Sequence, residues 1–428
     1  MEVNRRSFGK MLLGASLVGG CKTAPRIFSA PTRRISELRV AVIGIGARGE
    51  TVLREVLRTG AKVVALCDPD SSALRLGGDG VEVFQHATPA LYRDWRILFS
   101  RVKNLDAVFI CTPDHHHFEI AMAAVEKGVS VHIEPPAVRT VAEWRLLTKA
   151  AIRANTALAV GRGDISPATL AFAENCLRGG ILGKVHSIVA WTNQPLWPQG
   201  VKHPEGCDAL PRHLDWELWT GAKKLRPWRD GYYLHGAWRA WRDFGSGAWG
   251  AAAPQLLGTA FTALKLGTPS TIEIVQADRG ARGSEKFSYP VSQTLRFTVD
   301  RDGTGSWFGR GDSVEVFWHD GVGNPAKVVE GSYGIKLPPS GCMIVGSAGT
   351  WLAGGPQGDQ LYFAVNGEPA LVPAERHVAC QSFLPGKDSK LMPGQFKCFL
   401  EKIASGDRSV CGKYELLFNE TIAKGIML

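Results

Sequence analysis

Gly44, Gly46 and Gly49 form a Gly-x-Gly-x-x-Gly run, with Ala47 and Arg48 between the last two. It follows an apolar stretch at 38–43 and opens a helical pattern that continues to about Arg58. That context suits a dinucleotide. Gly44 permits a tight turn, Gly46 leaves a pyrophosphate unobstructed, and Gly49 lets the helix lie close to the strand. The N–H groups and positive potential at a helix start attract phosphates. Asp68 comes 19 residues after Gly49, at the end of the next strand pattern. Its carboxylate suits ribose hydroxyls and repels a 2′-phosphate. No Lys or Arg follows in residues 69–73, so NAD is expected over NADP. The same glycines also serve as a plain turn in an α/β domain without ligand.

Two further sets could carry chemistry. Cys111-Thr112-Pro113-Asp114-His115-His116-His117 follows the third strand pattern, and Glu134-Pro135-Pro136-Ala137 follows the fourth. Three consecutive histidines do not converge easily on one ion, so no metal is expected; a polar loop capping the next helix is the plainer reading. The second set is aromatic. His235 is the best acid/base by type, Tyr233 could donate a proton or position a hydroxyl, and Trp197 and Trp238 could stack on sugar faces. Tyr232, Tyr233, His235, Trp238 and Asp243 serve equally as packing at a domain interface.

The elements that must position these residues alternate. Strand patterns at 38–43, 61–66, 105–110, 129–133 and 157–160 are separated by helical patterns, with a mainly helical stretch expected at 86–100. That is a doubly wound parallel sheet, a Rossmann domain over 37–166. After residue 167 the pattern changes. A helix at 168–178 and a strand at 185–191 precede a Trp-, Pro- and Gly-rich stretch at 193–247. A helix at 249–266, strands at 271–276, 294–299, 314–318, 343–346 and 361–364, and helices at 392–403 and 413–426 complete the chain. These imply an α+β second domain over 167–428, an open, mainly antiparallel sheet covered by helices.

A chain of 428 residues, 45% hydrophobic and 21% charged, is ordinary for two globular domains. No run of 18 apolar residues appears, so no transmembrane helix is expected. The net charge of +10 is concentrated in residues 1–39, which hold eight basic and two acidic residues. The basic balance therefore reports the head and not a nucleic-acid-binding domain. Residues 1–36 read as an address and tether. Arg5-Arg6-Ser7-Phe8-Gly9-Lys10 and the short apolar stretch to Gly20 resemble a twin-arginine export signal, and Val18-Gly19-Gly20-Cys21 resembles a lipoprotein processing site. A periplasmic or lipid-anchored location is expected, with membrane contact only through the signal or a lipid on Cys21. A basic tail is the alternative.

Taken together, the glycine run, Thr112-Pro113, Glu134-Pro135-Pro136-Ala137, Trp191-Thr192-Asn193-Gln194-Pro195-Leu196-Trp197, Leu214-Asp215-Trp216-Glu217 and Trp241-Arg242-Asp243-Phe244-Gly245 resemble the glucose–fructose oxidoreductase / inositol dehydrogenase / MocA family, in its exported bacterial branch. The resemblance implies a sugar or polyol substrate. It places Thr112, Pro113 and His115 beside the nicotinamide ribose, with Glu134 close by. It also exposes departures. The family's Lys falls at Pro135, its Asp at Ala251 and its His at Gln255. None of these three can supply the proton transfer expected of the family residues. The family also has a further terminal strand where this chain ends in a helical pattern, so the sheet edge is expected to be either incomplete or completed by a second copy.

Three roles remain open: an NAD-dependent oxidoreductase on a sugar or polyol with tightly bound cofactor; an NAD-using glycosidase or lyase, which Glu134-x-Pro136-Ala137 resembles; and a lapsed enzyme that binds nucleotide or carbohydrate at the cell surface.

Overall fold

The computed structural model describes residues 33–163, 165–300, 313–321, 325, 336–386 and 393–428. The export and lipidation motifs, with Arg5, Arg6 and Cys21, lie outside the described residues.

Six strands form the first sheet: β1 (Arg39–Ile43), β2 (Lys62–Cys67), β3 (Ala90–Tyr92), β4 (Ala107–Ile110), β5 (Ser130–Ile133) and β6 (Leu158–Val160). Their order is β3-β2-β1-β4-β5-β6 and every pairing is parallel. Every residue of β4 and β5 is buried, because helices cover both faces. The helices are α1 (Ala47–Arg58), α2 (Ser71–Gln85), α3 (Trp95–Arg101), α4 (Asp114–Glu126) and α5 (Val141–Ala154). In α1, Val52, Leu53, Val56 and Leu57 recur at helical spacing and face the sheet. A capping box between Thr140 and Glu143 starts α5. Ile43 pairs with Cys67 on one side and Ile110 on the other. The residues that follow these three strand ends, Gly44, Asp68 and Cys111, are thereby brought to one edge. That edge is the switch point where ligands bind in such sheets.

The stretch 86–100 is not one helix. Residues 71–85 form α2, and residues 86–101 hold β3 and then α3. Gly77, Gly78 and Gly80 give α2 the look of a loop in sequence. Here Gly77 admits the sheet: a Cβ there would lie 2.9 Å from Ile45 and 3.2 Å from Leu66.

The second domain begins with α6 (Pro167–Arg178), β7 (Val185–Thr192), the short α7 (Trp216–Thr220) and α8 (Gly247–Ala263). Its sheet adds β8 (Glu273–Asp278), β9 (Ser292–Asp300), β10 (Ser313–Asp320), β11 (Gly341–Gly346), β12 (Gly349–Gly354), β13 (Gln360–Val365) and β14 (Val372–Pro373). The order is β14-β13-β12-β11-β7-β10-β9-β8, antiparallel throughout except for β7 with β10. In β9, Leu295, Phe297 and Val299 are buried while Arg296, Thr298 and Asp300 are exposed, the two-residue period of a half-covered sheet. Trp249, Leu256 and Leu257 of α8 pack on the covered face with Phe297 and Trp318.

The last two helices, α9 (Gln395–Ala404) and α10 (Lys413–Ile426), return to the first domain. Phe396, Phe399, Leu400 and Ile403 pack on the first sheet, with Phe396 and Phe399 edge-on to Phe109 at 5.8 and 5.9 Å. From α10, Ala423 joins the first domain's core, and Phe418, Ile422 and Ile426 join the second's. The step from 166 to 167 separates the sheets in sequence, yet residues beyond 393 complete both cores.

Candidate functional site

A cleft of about 460 Å³ runs between the strand-end edge of the first sheet and the second domain. One end is built by the turn after β1. Gly44 sits at φ +88°, and a Cβ there would meet the Cys111 carbonyl and the Thr112 nitrogen at 2.7 Å. A Cβ on Gly49 would stand 1.9 Å from the Gly44 oxygen. Gly46 has nothing within 4 Å of its Cβ position and lines the cleft. It also caps α1 without a side-chain hydrogen bond, so the cap leaves first-turn N–H groups beside Ala47 for a ligand. Asp68 completes this end. Its carboxylate accepts from the backbone N–H of Ile45 at 2.6 Å and of Asp70 at 2.9 Å. Burial nevertheless raises its pKa to about 6.

The middle of the cleft is the junction of the loops after β4 and β5. Thr112, Pro113, Glu134 and Pro135 all line it. Arg48 Nε donates to Glu134 Oε2 at 2.6 Å and ties the start of α1 to the end of β5. Gly161 makes room for this carboxylate, since a Cβ there would lie 2.9 Å from Glu134 Oε1. His117 bridges the two loops, its ring nitrogens each 2.8 Å from a carbonyl oxygen, of Thr112 and of Pro136. From the facing wall, Ala251 and Gln255 of α8 enter the same cleft. The positions matched to the family's Lys, Asp and His thus converge with Glu134, as a proline, an alanine and a glutamine.

The third side is the turn at 234–239. His235, at φ +53° and exposed, and Trp238 both line the cleft. Tyr233 does not. It is 2% exposed and packs against Trp216 at 5.1 Å, Trp241 at 5.9 Å and Phe244 at 5.9 Å. Its expected proton-donor and substrate roles are therefore replaced by a core role. Trp197 is also set back from the cleft. Its indole N–H donates to Gln199 Oε1 at 2.7 Å and its ring leans on the same aromatic cluster. Asp243 is taken up in an ion pair with Arg226.

His115 needs a like correction. The helix α4 starts at Asp114, so the histidines occupy its first turn and not a loop ahead of it. Successive helical residues are rotated by about 100°. His116 and His117 line the cleft, while His115 turns away. Its ring nitrogens face the carbonyl oxygens of Trp219 at 3.1 Å and Phe244 at 3.3 Å. Burial pushes its pKa well below the usual range and keeps it neutral. Among the described residues no cluster of three His, Cys, Asp or Glu side chains could hold a metal ion.

Sequence reasoning named Arg48 and Glu134 singly and missed their pairing, which spans 86 residues. It quoted Asp114 without giving it a role and missed Arg239; both line the cleft. Nothing in local spacing marks Arg239.

Residues 38–162 match the model of an oxidoreductase family with an NAD-binding Rossmann fold. A D-apiose dehydrogenase of Paraburkholderia graminis is 30% identical over 163 residues, 37% of this chain and 41% of that protein. A glycosyl hydrolase family 109 protein of Stenotrophomonas maltophilia is 36% identical over 119 residues, 26% of each chain. The chain thus spans less than half the length of these two curated relatives. Among solved structures, the WlbA dehydrogenase of Chromobacterium violaceum, in complex with NADH and UDP-GlcNAcA, superposes with a TM-score of 0.59 at 14% identity. That match covers 93% of this chain and 96% of the other, and it shows that both domains share one architecture.

The packing of Tyr233 gives a direct test. Urea unfolding of Tyr233→Phe is expected within about 0.5 kcal/mol of the unsubstituted protein, and Tyr233→Ala is expected to lose ~3–5 kcal/mol. A Tyr233→Phe protein that unfolds normally but loses ligand turnover would return this residue to the chemistry.

Proposed function

We propose that this chain, whose residues 38–162 belong to the Gfo/Idh/MocA oxidoreductase family, binds NAD and acts on a sugar or polyol in the interdomain cleft. The observation that carries this reading is the continuity of the cleft. It joins the intact Gly44–Asp68 end to Glu134, Pro135, Gln255 and His235 in one space. Gly46 offers a bare backbone cradle and α1 offers its first-turn N–H groups, which fits a pyrophosphate. Asp68 holds the adenosine ribose. The bound nicotinamide supplies a hydride acceptor and donor.

The chain's own residues set what accompanies that transfer. Arg48 fixes Glu134 against the loop that would face the ribose of the nicotinamide half. His117 fixes Thr112 and Pro136 through their carbonyls. Gln255 can orient a hydroxyl by hydrogen bonding, but it cannot take a proton. His235, which lines the cleft and is exposed, accepts or returns the hydroxyl proton. Trp238 offers its ring to the sugar face.

A second reading is favoured by Glu134-Pro135-Pro136-Ala137 and by the glycosyl hydrolase family 109 relatives. In it the hydride is borrowed and returned, so a glycoside is cleaved with no net change in NAD. A lapsed, binding-only protein is the third outcome. In the same proposal the Arg5-Arg6 head sends the chain out by the twin-arginine route, and pairing of the second sheet makes it a homo-oligomer. That route carries folded proteins, so a bound cofactor travels with the chain. Replacing Arg5 and Arg6 by Lys is expected to leave the protein in the cytoplasmic fraction; unchanged localisation would refute this assignment.

The decisive experiment denatures the purified protein and measures the nucleotide released per chain. Near-stoichiometric NAD(H), or saturable NAD binding by titration, is expected. Absorbance at 340 nm with a panel of sugars and polyols then reports oxidoreduction, and nitrophenyl glycosides report cleavage. Failure to bind nucleotide would remove both enzymatic readings. NAD binding without either turnover would leave the lapsed protein.

Asp68 sets a pH dependence. Its pKa in the folded chain, about 6, lies above the ordinary 3.8. Ionising it therefore costs stability as pH rises through 6, and ribose hydroxyls that donate to the carboxylate offset that cost. NAD affinity is expected to increase between pH 5 and pH 7 and to be flat over that range in Asp68→Asn. Calorimetric titration at several pH values checks both; a flat profile in the unsubstituted protein would contradict the role.

A further inference from the structure

The cleft wall at 234–239 carries a cation that the chemistry above leaves unused. Arg239 lies in the single 3-10 turn Ala237–Ala240 and lines the cleft beside Gly236 and Trp238. Its guanidinium carbon stands 4.3 Å from the centre of the Trp238 ring and 5.8 Å from that of Trp197. It is half-buried, and among the described residues it has neither a hydrogen bond nor an ion pair from its side chain. The other arginines of the cleft are engaged. Arg48 holds Glu134, Arg93 donates to the carbonyls of Pro69 and His213, and Arg96 pairs with Asp94 and Glu119. Asp114 acts on Arg239 only from beyond ion-pair distance, and burial biases that carboxyl toward its neutral form.

Burying a guanidinium without a partner is unfavourable unless something supplies one. The stacked indole covers a face of the planar group and leaves its N–H edge available. That edge matches a carboxylate in two parallel hydrogen bonds. A phosphate dianion would need more positive charge than this wall has unengaged. The backbone is committed to the arrangement, since a Cβ on Gly245 would lie 2.5 Å from the Arg239 Cα.

We propose that Arg239 binds a carboxylate of the substrate, so that the sugar accepted by this cleft is a sugar acid. The inference rests on the reading of the cleft as an NAD-dependent sugar site. The test uses the full chain saturated with NAD. Tryptophan fluorescence is followed during titration with D-glucuronate, D-galacturonate, their neutral parents D-glucose and D-galactose, and glucose 6-phosphate. At least one uronate is expected to bind about tenfold or more tighter than its neutral parent. Arg239→Gln is expected to reduce that ratio to about twofold or less while NAD affinity stays unchanged, and Arg239→Lys to keep part of it. Equal binding of acid and neutral sugar, no binding of either uronate, tighter binding of the phosphate ester, or an undiminished ratio in Arg239→Gln would each overturn the proposal. So would a loss of NAD affinity in Arg239→Gln, which would assign the residue to the cofactor. A chain that binds no NAD fails at the proposed function itself; one that binds NAD without preferring the acid fails only here.

Discussion

Bare backbone contact between the turn after β1 and the turn after β4 is the constraint on which the site depends. Gly44 meets Cys111 and Thr112 where no side chain fits, and Gly49 meets Gly44 in the same way. These approaches hold the start of α1 against the parallel sheet at its switch point. Everything in the cleft is measured from there. Asp68 reaches back to the Ile45 nitrogen, and Arg48 reaches across to Glu134 at the end of β5. A bulkier residue at either glycine would displace the helix start and, with it, both side chains.

Pro135, Ala251 and Gln255 meet in one part of the cleft. They bring no titrating group to the middle of the cleft, where Glu134 is the ionisable neighbour they converge with. Glu134 is tied to Arg48, His117 to two carbonyls, and Asp114 and Arg239 also line the cleft. The result is a cleft in which Glu134 and His117 are already held in place by partners from other loops.

What was legible in the sequence was local. The glycine run and Asp68 each sit within a few residues of the strand they follow, and the buried parallel strands announce themselves as apolar runs. The second sheet was legible for the same reason where strands alternate, as in β9; β12, with glycine at both ends, was not. The glycines of α2 hid a helix because their purpose is contact with Ile45 and Leu66, which is tertiary. The aromatic stretch from 193 to 247 has no period. Nothing in it distinguishes Trp238, which reaches the cleft, from Tyr233, which is buried five residues earlier. The Arg48–Glu134 pair and the return of α9 depend on residues far apart in the chain.

That return has a consequence for how the molecule is made. One face of the first sheet, with Val40, Val42 and Phe109, is covered by Phe396, Phe399 and Leu400. A ribosome releases those residues long after the strands of the first sheet. Until then that face has only its local helices for cover, Val52, Leu53 and Val56 of α1 among them, and its contacts of longest sequence separation close last. The first domain in the sequence is therefore among the last to be finished, and a nascent chain held in that state is the form most exposed to aggregation.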